Sequence, residues 1–369
     1  MTTRRAEALI DTNALAANIA LLKARAGTDL LAVVKADAYG HGLIRTAEAA
    51  LQAGADWLGV ALLEEALALR THGISAPVIA WLVPPGSDFE SAIRHEIDLG
   101  VSSQLAFDQI VAAGRKVGVK PRIHIEVDSG MTRGGFLDEW QAFLLSDFSS
   151  VEVIGFFSHF ARADEPGQEQ NLKQRERFLQ LRAEFCSAVT TPVITHLSNS
   201  AATLVDDQSR FDLVRTGIAM YGLHPDASTL RHEELAPVMQ LRAKLHLVKK
   251  VPAGSPVGYG ATAVTDRDTT LGVVAMGYGD GIPRNTQGAG IFVAGKRAPI
   301  IGRVSMDQFV VDLGPDSTAQ SGDWVIVFGS GKAGEYTVDD WAAAAGTINY
   351  EIVTRIGPRV PRIYGNHVY

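Results

Sequence analysis

The chain has 369 residues, 46% apolar and 20% charged, with 41 acidic against 34 basic side chains and a formal net charge of −7. That length exceeds one ordinary core and favours a large domain plus a smaller one. The acidic balance argues against nucleic acid as a partner, and no run approaches the roughly 18 uninterrupted apolar residues of a membrane span.

In chain order, Met1-Thr2-Thr3-Arg4-Arg5 opens a mixed segment with no secretory apolar core. Asp11-Thr12 then caps a helix carrying Leu15, Ile19 and Leu22 on one face. Leu30-Leu31-Ala32-Val33-Val34 has the length and β-branching of a buried strand and ends on Lys35, and the stretch Ala36 to Gly42 reads as the loop leaving it. Seven further buried runs lie at 57–62, 77–83, 98–102, 122–127, 151–159, 192–198 and 212–219, with helical spacing at 103–117 and 169–189. Eight buried strands alternating with helices predict an α/β fold, a parallel (β/α)8 TIM-type barrel over residues 1–232. An open doubly wound sheet loses because no Gly-rich dinucleotide turn follows the first strand. Over residues 233–369, strands at 238–251, 271–277, 290–294, 298–303, 308–313 and 323–328 follow one another with little helix. Turn signals such as Ala294-Gly295-Lys296 separate them, and one helix is predicted at 337–345. This predicts a C-terminal, mostly antiparallel β domain, with which the first residues of the chain are able to pair.

The single cysteine, Cys186, permits no intramolecular disulfide, agrees with a reducing cytoplasm, and reads as a packing residue. Ten histidines without HExxH or CxxC spacing give no dedicated metal site.

A lysine at the mouth of a buried strand is partly desolvated, which suits Lys35 to Schiff-base chemistry. The seventh run leads into Ser198-Asn199-Ser200-Ala201-Ala202 at a helix start, and the eighth into Arg215-Thr216-Gly217-Ile218. A hydroxyl and free backbone N–H groups there make a phosphate cradle, at the barrel loops that commonly hold one. An amine on the first strand and a phosphate site on the last two fit a phosphorylated aldehyde cofactor.

The chain carries VVKADAYGHG at 33–42, DSGMTR at 128–133, SHFARAD at 158–164, HLSNSAA at 196–202, RTGIAMYG at 215–222, GYGAT at 258–262, GYGDG at 277–281, GRVSMDQ at 302–308 and NYEIVTRIGPRVPR at 349–362. With these it resembles the alanine racemases over nearly its whole length. The resemblance implies pyridoxal 5'-phosphate held covalently by Lys35. Tyr39, Ser200, Gly217, Ile218 and Tyr350 would surround its phosphate, and Arg215 would face its ring nitrogen with His196 in support. Lys35 would take the α-proton of the D-substrate and Tyr259 that of the L-substrate. His159 would be the cation that favours the Tyr259 phenolate. Arg133 and the amide of Met306 would meet the substrate carboxylate. Tyr278 and Asp164 would stand near the entrance, and Asp307 would order the Met306 loop. In the family the tyrosine comes from a partner subunit, which implies a homodimer with shared sites. The implied activity is interconversion of L- and D-alanine in the cytoplasm, supplying D-alanine for peptidoglycan. The alternative is a racemase of the same fold acting on serine, lysine or several amino acids.

One departure is chemical. Glu126 stands where many family members carry a lysine modified to a carbamate. Strand alternation puts His124, Glu126 and Asp128 on one face, so Glu126 is expected to point into the barrel and orient Arg133 by a charge-assisted hydrogen bond. Gly279 and Ala263 also depart from the residues common in the family.

Overall fold

The computed structural model describes residues 4–189, 191–226 and 235–365. It forms two compact units, one of Leu15–Ala38 with Leu43–Leu235, the other of Met1–Ala14, Tyr39–Gly42 and Ala236–Tyr369. Strands are numbered along the chain from β1 (Ala6–Asp11), which belongs to the second of these.

The first unit is a parallel barrel of β2 (Asp29–Val33), β3 (Trp57–Val60), β4 (Val78–Ala80), β5 (Asp98–Val101), β6 (Arg122–Glu126), β7 (Glu152–Phe157), β8 (Ile194–His196) and β9 (Leu213–Thr216). Each lies on one of the eight expected runs. Neighbours pair in the order β8-β7-β6-β5-β4-β3-β2-β9. The ends of that path meet where Arg215 N donates to Ser198 O at 2.9 Å and Asp212 N to Thr195 O at 3.1 Å, so the barrel is nearly closed. Helices cover it. Ser103 caps Gln104–Val117 by accepting from Ala106 N, and Gly118, at φ 77°, ends it. The helix Glu169–Ala188 buries Phe178, Leu181 and Phe185. Phe185 stacks on Phe156 at 5.3 Å, and Phe136 on Phe143 at 3.9 Å, in one aromatic cluster. Cys186 is exposed, so it is not the packing residue the sequence suggests.

The loop expected after β2 is a left-handed turn. Ala36, Asp37, Ala38 and Tyr39 have φ of 54°, 53°, 52° and 53°, and Ala38 N donates to Val34 O at 2.9 Å. Such backbone costs roughly 1–2 kcal/mol per non-glycine residue. Two carboxylates hold it. Glu65 accepts from Ala36 N at 2.6 Å and Asp37 accepts from Leu43 N at 2.8 Å. The strain lies beside Lys35, where it fixes the direction in which the chain leaves the strand.

The second unit contains β1, β10 (Met239–Val251), β11 (Pro256–Val257), β12 (Ala263–Val264), β13 (Thr269–Val274), β14 (Gly290–Val293), β15 (Lys296–Pro299), β16 (Phe309–Asp312), β17 (Trp324–Phe328) and β18 (Arg362–Gly365). β10 is its spine, antiparallel to β1, β13 and β17, with a register shift between Leu245 and Leu247. β1 also pairs with β18 in parallel, so the sheet is mixed. Ala294 at φ 49° and Gly295 at φ 76° join β14 to β15 in the two-residue geometry that suits strand twist. That tight turn starts β15 at Lys296, two residues before the expected 298, and leaves 300–303 outside it. The helix Val338–Ala345 opens on the Thr337 capping box. A second helix, Asn349–Thr354, was not anticipated; six residues are too few to show a period. No helix among the described residues is long and apolar enough to cross a membrane.

Candidate active site

Lys35 lies two residues beyond the end of β2, and Arg215 lies on the neighbouring β9 in register with Leu31. The Lys35 ammonium sits 5.8 Å from the centre of the Trp81 ring. Burial first and the charge of Arg133 second hold its pKa below the usual lysine range; Glu65 opposes them, and Arg215 adds the smallest lowering. A fraction of free amine is therefore available nearer neutral pH than in an exposed lysine.

Arg215 is buried, and four of its N–H groups are engaged. Nη1 donates to His196 O at 2.8 Å and His196 Nδ1 at 3.0 Å, and Nη2 to Ser158 O at 2.7 Å, Leu197 O at 3.1 Å and His159 Nδ1 at 3.3 Å. Its fifth group, Nε–H, finds no acceptor among the described residues. Burial, with a smaller contribution from Arg133 and against Glu126, brings the guanidinium pKa down to about 10, so it stays charged at neutral pH. It is therefore a fixed cation with one open donor, which fits a ring nitrogen carrying a lone pair.

His159 is not a cation. Burial, then the charges of Arg215, Arg133 and Lys35, hold its pKa well below the ordinary histidine value. Since a guanidinium only donates, His159 Nδ1 must accept, and its proton is on Nε2. The imidazolium suggested beside a phenolate is replaced by a neutral N–H donor. His196 is held neutral likewise, by burial first and then Arg215 and His124.

Glu126 does point into the barrel, but no hydrogen bond or ion pair within 4 Å joins it to Arg133 among the described residues. Its carboxylate lies under Gly134, where a Cβ would meet both oxygens at 3.4 Å. Burial raises its pKa, opposed by the fields of Arg215 first and Arg133 second. The expected clamp on Arg133 is thus a counter-charge felt chiefly by Arg215. Strand alternation gives the face a side chain occupies; it does not give the distance to a residue on a loop. Arg133 itself is exposed, after Thr132 at φ 59°.

Ser200 Oγ accepts from Gly217 N at 2.9 Å and Ala219 N at 3.4 Å, tying the start of the helix Ser200–Val205 to the turn after β9. The Gly217 amide, on a residue expected beside the phosphate, is therefore taken. The amides of Ala201 and Ile218 meet no acceptor among the described residues, so an anion cradle remains. Asp164 lies in the turn after β7.

In the second unit, Tyr39 and Tyr350 face each other with ring centres 6.2 Å apart, and burial raises the Tyr39 pKa above its usual value. Tyr259 lies between β11 and β12 and is 71% exposed; Met306 is 54% and Tyr278 41% exposed. Asp307 accepts from Arg359 Nη2 at 2.6 Å, and Arg359 Nε lies 3.2 Å from buried Asp280, so Asp307 does anchor its loop. A Cβ at Gly279 would sit 2.6 Å from Arg359 Nη1, and the glycine keeps that path open. The Met306 amide donates to nothing among the described residues, and its carbonyl accepts from Gly279 N at 2.8 Å.

Sequence reasoning overlooked Asp98, Glu65 and Trp81. A signal existed only for His124, placed on the Glu126 face. The family model "Alanine racemase, N-terminal domain" matches residues 10–225, and "Alanine racemase, C-terminal domain" matches 238–364. The alanine racemase of Thermobifida fusca is 49% identical over 97% of this chain and 98% of its own. The crystal structure of alanine racemase from D-cycloserine producing Streptomyces lavendulae has a TM-score of 0.96 and 45% identity, covering 100% of this chain and 99% of that one. The Bartonella henselae alanine racemase with covalently bound pyridoxal phosphate has a TM-score of 0.89 and 30% identity, covering 98% of this chain and 100% of that one.

Proposed function

Since this chain belongs to the alanine racemase family and interconverts L- and D-alanine, we propose that it does so with pyridoxal 5'-phosphate and two bases, Lys35 and Tyr259. When bound, that cofactor would supply the electron sink that acidifies the α-C–H. Lys35 holds the cofactor covalently and moves the proton at Cα of D-alanine. Tyr259 moves the proton at Cα of L-alanine on the opposite face. Arg215 offers Nε–H to the ring nitrogen and keeps its own proton at neutral pH, which limits the ring as a sink and disfavours transamination. The hydroxyls of Tyr39 and Tyr350, with Ser200 and the amides of Gly217 and Ile218, surround the phosphate; of those two amides, only that of Ile218 is open. Arg133 and the amide of Met306 hold the substrate carboxylate, while Tyr278 and Asp164 limit the side chain. His159 contributes Nε2–H as a neutral donor toward a phenolate.

The open Arg215 Nε in an otherwise saturated, buried guanidinium is the observation that carries the cofactor reading. A second copy of the chain supplies the opposite base: Tyr259 is too exposed to act on a water-shielded proton alone. We infer a homodimer with shared sites on that ground. We propose, on the family membership, that it supplies D-alanine for peptidoglycan in the cytoplasm. The serine or lysine alternative has no support in the relatives matched.

The test is incubation of the purified holoenzyme with L-alanine in deuterated water. Deuterium at Cα of both enantiomers is expected. Racemisation without incorporation into D-alanine, or exchange on L-alanine that leaves no D-product, would overturn the two-base reading.

A further inference from the structure

The hydrogen bonds of Arg215 do not end at His196. His196 Nε2 lies 2.9 Å from His124 Nδ1, and His124 Nε2 lies 3.3 Å from Asp98 Oδ2. Asp98 in turn takes Arg122 Nε at 2.6 Å and Nη2 at 3.2 Å. All of His196, His124 and Asp98 are buried. This file of side chains joins β9, β8, β6 and β5 across the barrel interior. It starts at the guanidinium near the strands' C-terminal ends and finishes at the first residue of β5, on the N-terminal face. There a cavity of about 330 Å³ opens, lined in part by Asp98, Arg122, Arg70 and Glu152.

Both ends of the file set the same direction. Arg215 can only donate, so His196 Nδ1 must be bare and His196 Nε2 must carry the proton. His196 then donates to His124, whose Nδ1 must also be bare, and His124 Nε2–H donates to Asp98, an acceptor only. Each imidazole has one permitted tautomer, assigned from donors and acceptors. Burial pushes the Asp98 carboxyl up, but its bonds and charges with His124 and Arg122 outweigh that and hold it below the usual range. The packing accommodates this arrangement. A Cβ on Gly155 would lie 2.1 Å from His124 Nδ1, so only glycine leaves the ring its place. The edge of His124 meets Trp57 at 5.6 Å, and Phe157 stacks on His196 at 4.9 Å.

We propose that Asp98 is a positioning residue for the racemase site, fixing the tautomers of His124 and His196 and so holding the Arg215 guanidinium with Nε directed at the cofactor ring. This rests on the reading of Arg215 as the ring-nitrogen partner. Polarisation along a buried file strengthens each bond in it, so the Asp98 charge supports that of Arg215 through two neutral rings. The far face of the barrel, usually the part that serves stability, thereby acts on the chemistry.

The test uses holoenzyme with ¹⁵N-labelled histidine. In the wild type, His124 and His196 should each give one protonated Nε2 and one bare Nδ1. Asp98→Asn keeps the side chain's shape but turns one of its two accepting oxygens into a donor, and should move part of the His124 population to the Nδ1–H tautomer. Asp98→Leu should mix the tautomers and lower kcat roughly 10–100-fold at nearly constant KM, the range for groups that orient a ligand through an imidazole. If that variant does not fold, His124→Phe keeps a ring against Trp57 and should give the same His196 mixing and kcat loss. Unchanged His196 tautomers and turnover in the folded variant would overturn the proposal. Mixed tautomers with full turnover would also overturn it, and would locate the failure in the role given to Arg215.

Discussion

In the barrel unit, Arg215 has four N–H groups satisfied, Lys35 leaves its strand through a strained turn held by two carboxylates, and the guanidinium and the amine are both desolvated. In the β unit, Tyr259, Tyr278 and Met306 lie open, on a two-strand hairpin and two loops. One half of the chemistry is preorganised by its own fold. The other half is displayed, and a displayed base gains dielectric shelter only when something covers it. On the reading proposed above, neither unit carries both bases, and a second copy of the chain would supply the missing half.

The largest effects should come from removing one base on each side of that contrast. Lys35→Ala should lower racemisation by more than about 10⁴-fold and abolish covalent cofactor, and Tyr259→Phe should cost about 10²–10⁴-fold. Hydride-trapped cofactor and Cα exchange would read the two separately: Tyr259→Phe should retain trapping and lose exchange on L-alanine. Mixing the two inactive proteins breaks the comparison more directly. If sites are shared, a hybrid dimer has one site with both bases, and statistical mixing restores about a quarter of wild-type activity. No recovery, with hybrid dimers demonstrated, would place both bases on one chain.

Glu126→Gln should have a smaller effect, roughly tenfold in kcat, because the carboxylate balances Arg215 and Arg133 through space and forms no hydrogen bond with either. Wild-type activity should not respond to added bicarbonate, since Glu126 occupies the position that would otherwise require a carbamate. Bicarbonate activation, or unchanged kcat in the variant, would show that the charge is not used.

The barrel was legible because apolar, β-branched runs of five to nine residues record burial on both faces. Lys35 was legible as the point where such a run breaks. The left-handed turn after it was not, since Ala36, Asp37 and Ala38 carry no glycine signal, and Glu65 lies 29 residues away. The His124–His196 and His124–Asp98 bonds span 72 and 26 residues and leave no spacing for a reader to find. Glu126 shows a subtler limit. Its face followed from alternation, while its strongest partner, Arg215, is set by barrel curvature. His159 was misjudged for a related reason: burial, and then three converging cations, act on it only after folding.

Arg133 offers the finest test of how the barrel half prepares its amine. Its positive charge disfavours the ammonium form of Lys35, after burial and ahead of Arg215. Arg133→Gln removes that repulsion, so the Lys35 pKa should rise and less free amine should be present at a given pH below it. Reloading of apoenzyme with pyridoxal 5'-phosphate should then follow a pH profile displaced to higher pH. The same substitution should raise KM for alanine about tenfold through the lost carboxylate contact, an effect that does not depend on the pH displacement. A raised KM with an undisplaced reloading profile would mean that Arg133 serves substrate alone, and that the depressed lysine is the work of burial and Arg215. A displaced profile with unchanged KM would reverse that assignment and leave the substrate carboxylate to Met306 and the β half.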